Sequence, residues 1–145
     1  MYEPEVLRNS IDHYREALVK AGHDPSTREV LGKFHIYVTD SARAAVDEAG
    51  PYLHHYWAVA DAQHPGRSAA RPIRAAEQIA KGNVIAGEPQ RCIDIIRRWR
   101  DALGLTIVSG TFYFGGMPQA MAPRNIRRFA ADVMPAFAEG EAVTR

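Results

Sequence analysis

Two apolar runs decide what this chain can become. "KFHIYVT" at 33–39 and "LTIVSGTFYF" at 105–114 are rich in β-branched and aromatic residues, and segments of helical periodicity flank each of them. Strands separated by helices do not close a hairpin; they pair in parallel through a crossover. The expectation is a helix-rich α/β chain with two parallel strands. In the first run Phe34, Ile36 and Val38 alternate with His35, Tyr37 and Thr39, so both faces can be buried at least partly. Gly110, in the middle of the second run, predicts a bulge or a close approach.

The helices follow from apolar spacing. Leu7, Ile11, Tyr14, Leu18 and Ala21 step along one face from Pro4 to Ala21, with Pro4 suited to a first turn and Gly22 to a left-handed stop. "TDSARAAVDEA" opens a second helix that Asp40 or Ser41 can cap. Gly50-Pro51 interrupts it and "YLHHYWAV" resumes the pattern, which predicts a kink or two shorter helices. Cys92, Ile95, Ile96, Trp99 and Leu103 share one face of a helix opened by Pro89 and stopped by Gly104. In the last helix Ile126, Phe129, Ala130 and Val133 form the apolar face, with Pro135 near the close. Residues 58–87 lose this periodicity and read as a long loop excursion, with a short helix around Ile73 to Ala80; such excursions often carry binding sites.

Composition narrows the partners. With 46% hydrophobic and 24% charged residues over 145 positions, the chain reads as one globular domain, 1–145, with a real core. Eighteen basic against seventeen acidic residues leave a net charge of +1, which offers no electrostatic grip on nucleic acid or on a membrane. Cys92 is the single cysteine, so no internal disulfide forms, and no apolar run has membrane-spanning length. A cytoplasmic location is the expectation.

The stretch "TFYFGGMP", Thr111 to Pro118, is the most pointed local feature. Following a strand and preceding a helix, it lies at a strand's carboxyl end, where α/β folds place their ligand sites. Its aromatics suit a pocket or a core, and Gly115-Gly116 suits a turn, because no further glycine or lysine completes a phosphate cradle. His54 and His55 are adjacent and point about 100° apart on a helix, and no Cys/His spacing matches a zinc site, so no metal is expected. Cys92 lies on an apolar helix face with no activating base and reads as core. Arg67, Arg71 and Arg74 are solvated loop charges or a phosphate contact. In "RRWR", Arg97 to Arg100, the tryptophan faces the core and the arginines spread outward. "YLHHYWAV" has the aromatic content of an interface.

From "NVIAGEPQRCIDIIRRWRDALGLTIVSGTFYFGGMP" into "IRRFAADVMPAF", the chain resembles the C-terminal end of the luciferase-like flavin monooxygenases. The family's closing "FA-x-x-V-x-P" corresponds to Phe129, Ala130, Val133 and Pro135, and "KFHIYVTDSARAAVDEA" resembles its penultimate strand and following helix. Glu88 stands where the family usually has a serine or threonine cap; a carboxylate also favours a positive helix end. The family fold is a TIM-like (β/α)8 barrel of roughly 250 residues or more. The resemblance therefore implies the C-terminal part of such a barrel.

It implies in turn a flavin-dependent enzyme, inserting oxygen into a small organic substrate with reduced FMN or transferring hydride with a deazaflavin. This chain would supply one wall of the pocket. The implied wall residues are Thr39 and Asp40 after the first strand, and Phe112, Phe114, Gly115, Gly116 and Met117 after the second. No catalytic acid or base is implied, since the family's polar residues near the flavin come from strands that would precede Met1. The alternative is a non-catalytic α/β module. Under either reading open strand edges predict association, as a homo-oligomer or with a complementary barrel fragment.

Overall fold

The computed structural model describes residues 4–63 and 74–138. Its elements are α1 (Pro4–Lys20), β1 (Leu31–Val38), α2 (Ala42–Gln63), α3 (Ala75–Lys81), β2 (Ile85–Gly87), α4 (Pro89–Leu103), β3 (Ile107–Thr111) and α5 (Met121–Asp132), with 3-10 turns at Pro25–Thr27 and Met134–Phe137. No helix among the described residues is long and apolar enough to cross a membrane.

The sheet has three parallel strands in the order β2-β1-β3, not two. The added strand, β2, is only three residues long and lies within the stretch read as a loop excursion. Its backbone aligns Ile36 with Ile85 and Val38 with Gly87. Ala58 to Gln63 also leave that excursion, because α2 runs on through them. Arg67, Arg71 and the rest of 64–73 lie outside the described residues.

This order explains where the helices go. The chain moves from β1 to β2 on one side, then crosses back over β1 to reach β3. Right-handed crossovers in opposite directions require the connecting helices on opposite faces. Tyr37 and Ala86 accordingly pack with Ala45, Ala49, Leu53 and Trp57 of α2 and Ile79 of α3. On the other face Ile36, Val38 and Ile85 pack with Cys92, Ile93, Ile95, Ile96, Trp99 and Leu103 of α4, and Leu7 and Ile11 of α1 close over that helix.

Two expectations change for identifiable reasons. Pro51 does not divide its helix, although losing the N–H and crowding the preceding turn costs about 3 kcal/mol. Ala45, Ala49, Leu53 and Trp57 form a buried stripe on both sides of the proline, and seating Leu53 and Trp57 in the core offsets that cost. In α5 the inward face is rotated from the apolar reading: Ile126 is 48% exposed and Ala130 is exposed, whereas Asn125 is 1% exposed beside Val133.

The cause lies in the sheet edge. β3 ends at Thr111, level with His35, so the last residues of β1 have no strand on that side. The Asn125 amide replaces one: its Nδ2 donates to Ile36 O at 2.6 Å, and its Oδ1 accepts from Val38 N–H at 2.9 Å. These are the two bonds that one residue of a parallel neighbour would make.

Candidate functional site

A strand order that reverses at β1 creates a switch point between the carboxyl ends of β1 and β3, where α/β folds bind ligands. The seven residues expected to line a pocket come from these ends, but their side chains diverge. Thr39 is 3% exposed, and its Oγ1 donates to Glu48 at 3.1 Å. Asp40 is exposed and pairs with Arg128 at 2.6 Å. Phe112 packs edge-on against Phe129, ring centres 5.2 Å apart, on the α4 face. Phe114 and Met117 are 3% and 1% exposed in the cluster under α2.

The glycine pair makes a turn with both residues left-handed, at φ +59° and +70°. Gly115 lies against the backbone carbonyl of Tyr52 in α2, with no room for a Cβ, whereas Gly116 faces open space. The close approach expected of these glycines is thus made at Gly115 by protein backbone. Of the three consecutive aromatics, only Tyr113 is exposed, at 54%. Gly110 likewise serves a close approach and not a bulge: the β1–β3 register is continuous, and a Cβ there would lie 2.9 Å from Ile36.

A polar network that apolar periodicity does not reveal closes the same edge. The Tyr37 hydroxyl donates to Glu48 at 2.8 Å and accepts from Arg124 at 2.9 Å, and Arg124 reaches Glu48 at 3.2 Å. Burial pushes the Tyr37 pKa up, and donation to Glu48 adds to it, so the phenol stays protonated. The Arg124 pKa is raised, chiefly by its bond to Tyr37. Arg124 and Arg128 stand one turn apart on α5 with Asn125 between them; the i, i+4 arginine spacing was legible in the sequence, the burial of the amide was not. Ser41 caps α2, its Oγ accepting from Ala44 N–H at 3.0 Å, while Glu88 precedes α4 without a side-chain cap bond.

His35 lies behind this edge, with Tyr56, Trp57 and Phe114 rings at 4.6, 6.2 and 5.0 Å. Its Nε2 has no hydrogen-bond partner, and burial, with Lys33 nearby, lowers its pKa to about 4. The ring is neutral at pH 7. Cys92 is buried, and desolvation pushes its thiol up to about 12, in keeping with a packing role. Two surface concavities lie apart from the switch point. One, of about 320 Å³, runs along α4 from Glu88 to Arg98, and the other, of about 410 Å³, lies between α1 and Pro25.

The described residues around this edge do not enclose a flavin-sized site. Arg124, Arg128, Asp40, Gly116 and the Tyr113 ring are accessible around the edge, but Phe114, Gly115 and Met117 are taken up by α2. Among the described residues no group of three His, Cys, Asp or Glu could hold a metal ion.

Comparison with known proteins agrees with the parallel, helix-covered sheet. Over 95% of its length the chain is similar to the monooxygenase RslO1 from Streptomyces bottropensis, at 21% identity and a TM-score of 0.75, covering 40% of that structure. It is similar over 94% to the riboflavin lyase RcaE, solved with modified FMN and its substrate riboflavin, at 12% identity and a TM-score of 0.58, covering 37% of it. The chain thus spans about two-fifths of these structures, and its helix-rich fold with three parallel strands corresponds to part of a luciferase-like TIM barrel. None of the curated proteins matches in sequence. The family model of the luciferase-like monooxygenases matches residues 1–106, leaving β3, its glycine turn and α5 outside the match. With 106 of its 145 residues matched, the chain belongs to the luciferase-like monooxygenase family.

Proposed function

We propose that this chain contributes one wall of the pocket of a flavin-dependent monooxygenase, FMN or a deazaflavin being the cofactor and a small organic molecule the substrate. The family match over residues 1–106 carries this reading. β1 and β3 are neighbours at the switch point, which supports it, and so does the likeness to a lyase solved with modified FMN. When bound, the flavin supplies the oxygen or hydride chemistry. The chain's own share is positional: Arg124 and Arg128 offer guanidinium groups to an anionic or polar ligand, and the turn at Gly116 leaves backbone within reach.

A second reading is favoured by a specific observation. Phe114, Gly115 and Met117 are packed against α2, as in a chain that keeps the fold without the pocket. Titration of the purified chain with FMN, and separately with the deazaflavin, distinguishes the two. The first reading expects saturable quenching of flavin fluorescence at roughly micromolar concentration. A folded chain that binds neither cofactor assigns the non-catalytic module instead.

A further inference from the structure

A parallel strand offers the N–H and C=O of alternate residues to each side, so each free edge of the sheet has its own set of groups to satisfy. On β1, Thr39 N–H turns toward β2 and donates to Gly87 O at 2.8 Å, while Ile36 C=O and Val38 N–H turn the other way and are taken by Asn125. On β2, Ala86 turns outward, and its carbonyl accepts from Arg91 Nε at 3.2 Å. Side chains therefore take backbone groups at two of the open edges.

At the third edge none of the described side chains does. Ile107 N–H donates to Val30 O at 3.2 Å, so Ile107, Ser109 and Thr111 of β3 turn toward β1, and Val108 and Gly110 turn outward. Among the described residues no hydrogen bond reaches Val108 or Gly110 from that side, and β3 packs chiefly on β1. The strand "IVSGT" has neither charge nor proline, the usual protections of an edge. Leu31 and Tyr113, 57% and 54% exposed, flank it with apolar surface.

We propose that this edge pairs with β3 of a second copy of the chain, antiparallel about a two-fold axis at Ser109. The donor and acceptor pattern is complementary to itself under that rotation. Val108 comes opposite the partner's Gly110 and Gly110 opposite the partner's Val108, so the outward N–H and C=O groups of both residues close about four hydrogen bonds. The result is a six-stranded sheet across the dimer, with the two Ser109 residues as a non-hydrogen-bonded pair, Cα atoms roughly 4.5 Å apart. This surface is independent of whether the carboxyl edge binds flavin.

The experiment is the mass in solution together with Ser109→Cys and Ser109→Asp. At about 100 µM the wild-type chain should show twice its 16.1 kDa mass. Mild oxidation of S109C should give a covalent dimer that reductant reverses, since the pair is within disulfide reach and Cys92 is buried. S109D, placing like charges across the axis, should raise the dimer dissociation constant about tenfold or more. A wild-type monomer at that concentration overturns the proposal. So does a dimer whose S109C form does not cross-link, because it uses another face or a parallel partner strand. If S109D fails to fold, the wild-type mass and the S109C cross-link still decide.

Discussion

At the residue scale, the two neighbouring glycines behave as opposites. Both hold φ near +60° to +70°, where an L side chain is strained by about 1 kcal/mol. Only Gly115 also has the Tyr52 carbonyl where a Cβ would go, and that atom belongs to helix backbone that cannot move alone. Gly115→Ala should therefore lower stability by about 3 kcal/mol or more, and Gly116→Ala by about 1 kcal/mol, compared as urea midpoints at constant slope. Equal effects would mean that the turn is not seated on α2. The need for glycine here was legible in "FYFGGMP", but its partner was not. Phe112, Tyr113 and Phe114 are consecutive, and the fold sends one to the α4 face, one to solvent and one beneath α2.

At the element scale, α5 is placed by a hydrogen-bonding demand more than by its apolar stripe. Asn125 satisfies two backbone groups of β1 that would otherwise be buried without partners. Asn125→Leu keeps the bulk and removes both bonds, so a loss of about 2–4 kcal/mol is expected in chemical denaturation. A loss below about 1 kcal/mol would show that water or a shifted strand serves those groups as well. The short helix α3 is held in a comparable way. Trp99 Nε1 donates to Gly82 O at 2.8 Å, while Arg91 and Arg98 reach Ile79 O and Lys81 O at 2.8 and 2.7 Å. Cations at its carbonyl end also suit the helix dipole.

On the scale of the whole molecule, the sheet joins two apolar clusters, one under α2 and α3 and one under α4 and α1. β1 contributes alternate side chains to both, so neither cluster can open without disturbing the same backbone. Each cluster also holds one of the two tryptophans, Trp57 with α2 and Trp99 with α4. Fluorescence of the single-tryptophan variants Trp57→Phe and Trp99→Phe, each referred to its own circular dichroism transition, should report coincident unfolding. Separate transitions would divide the chain into two folding units.

The sequence by itself determined the alternation of helices with strands, hence the parallel α/β class, and the buried face of α4, because each follows from local periodicity and turn residues. It determined the family likeness for the same reason, through the order of its motifs. Only the tertiary structure decided the rest. β2 is three residues long and becomes a strand by pairing with β1; Pro51 stays inside a helix because its neighbours are buried on both sides; Asn125 turns inward because β3 stops short. Each of these outcomes is set by a partner far away in the chain, whose hydrogen bonds and buried area outweigh the local preference.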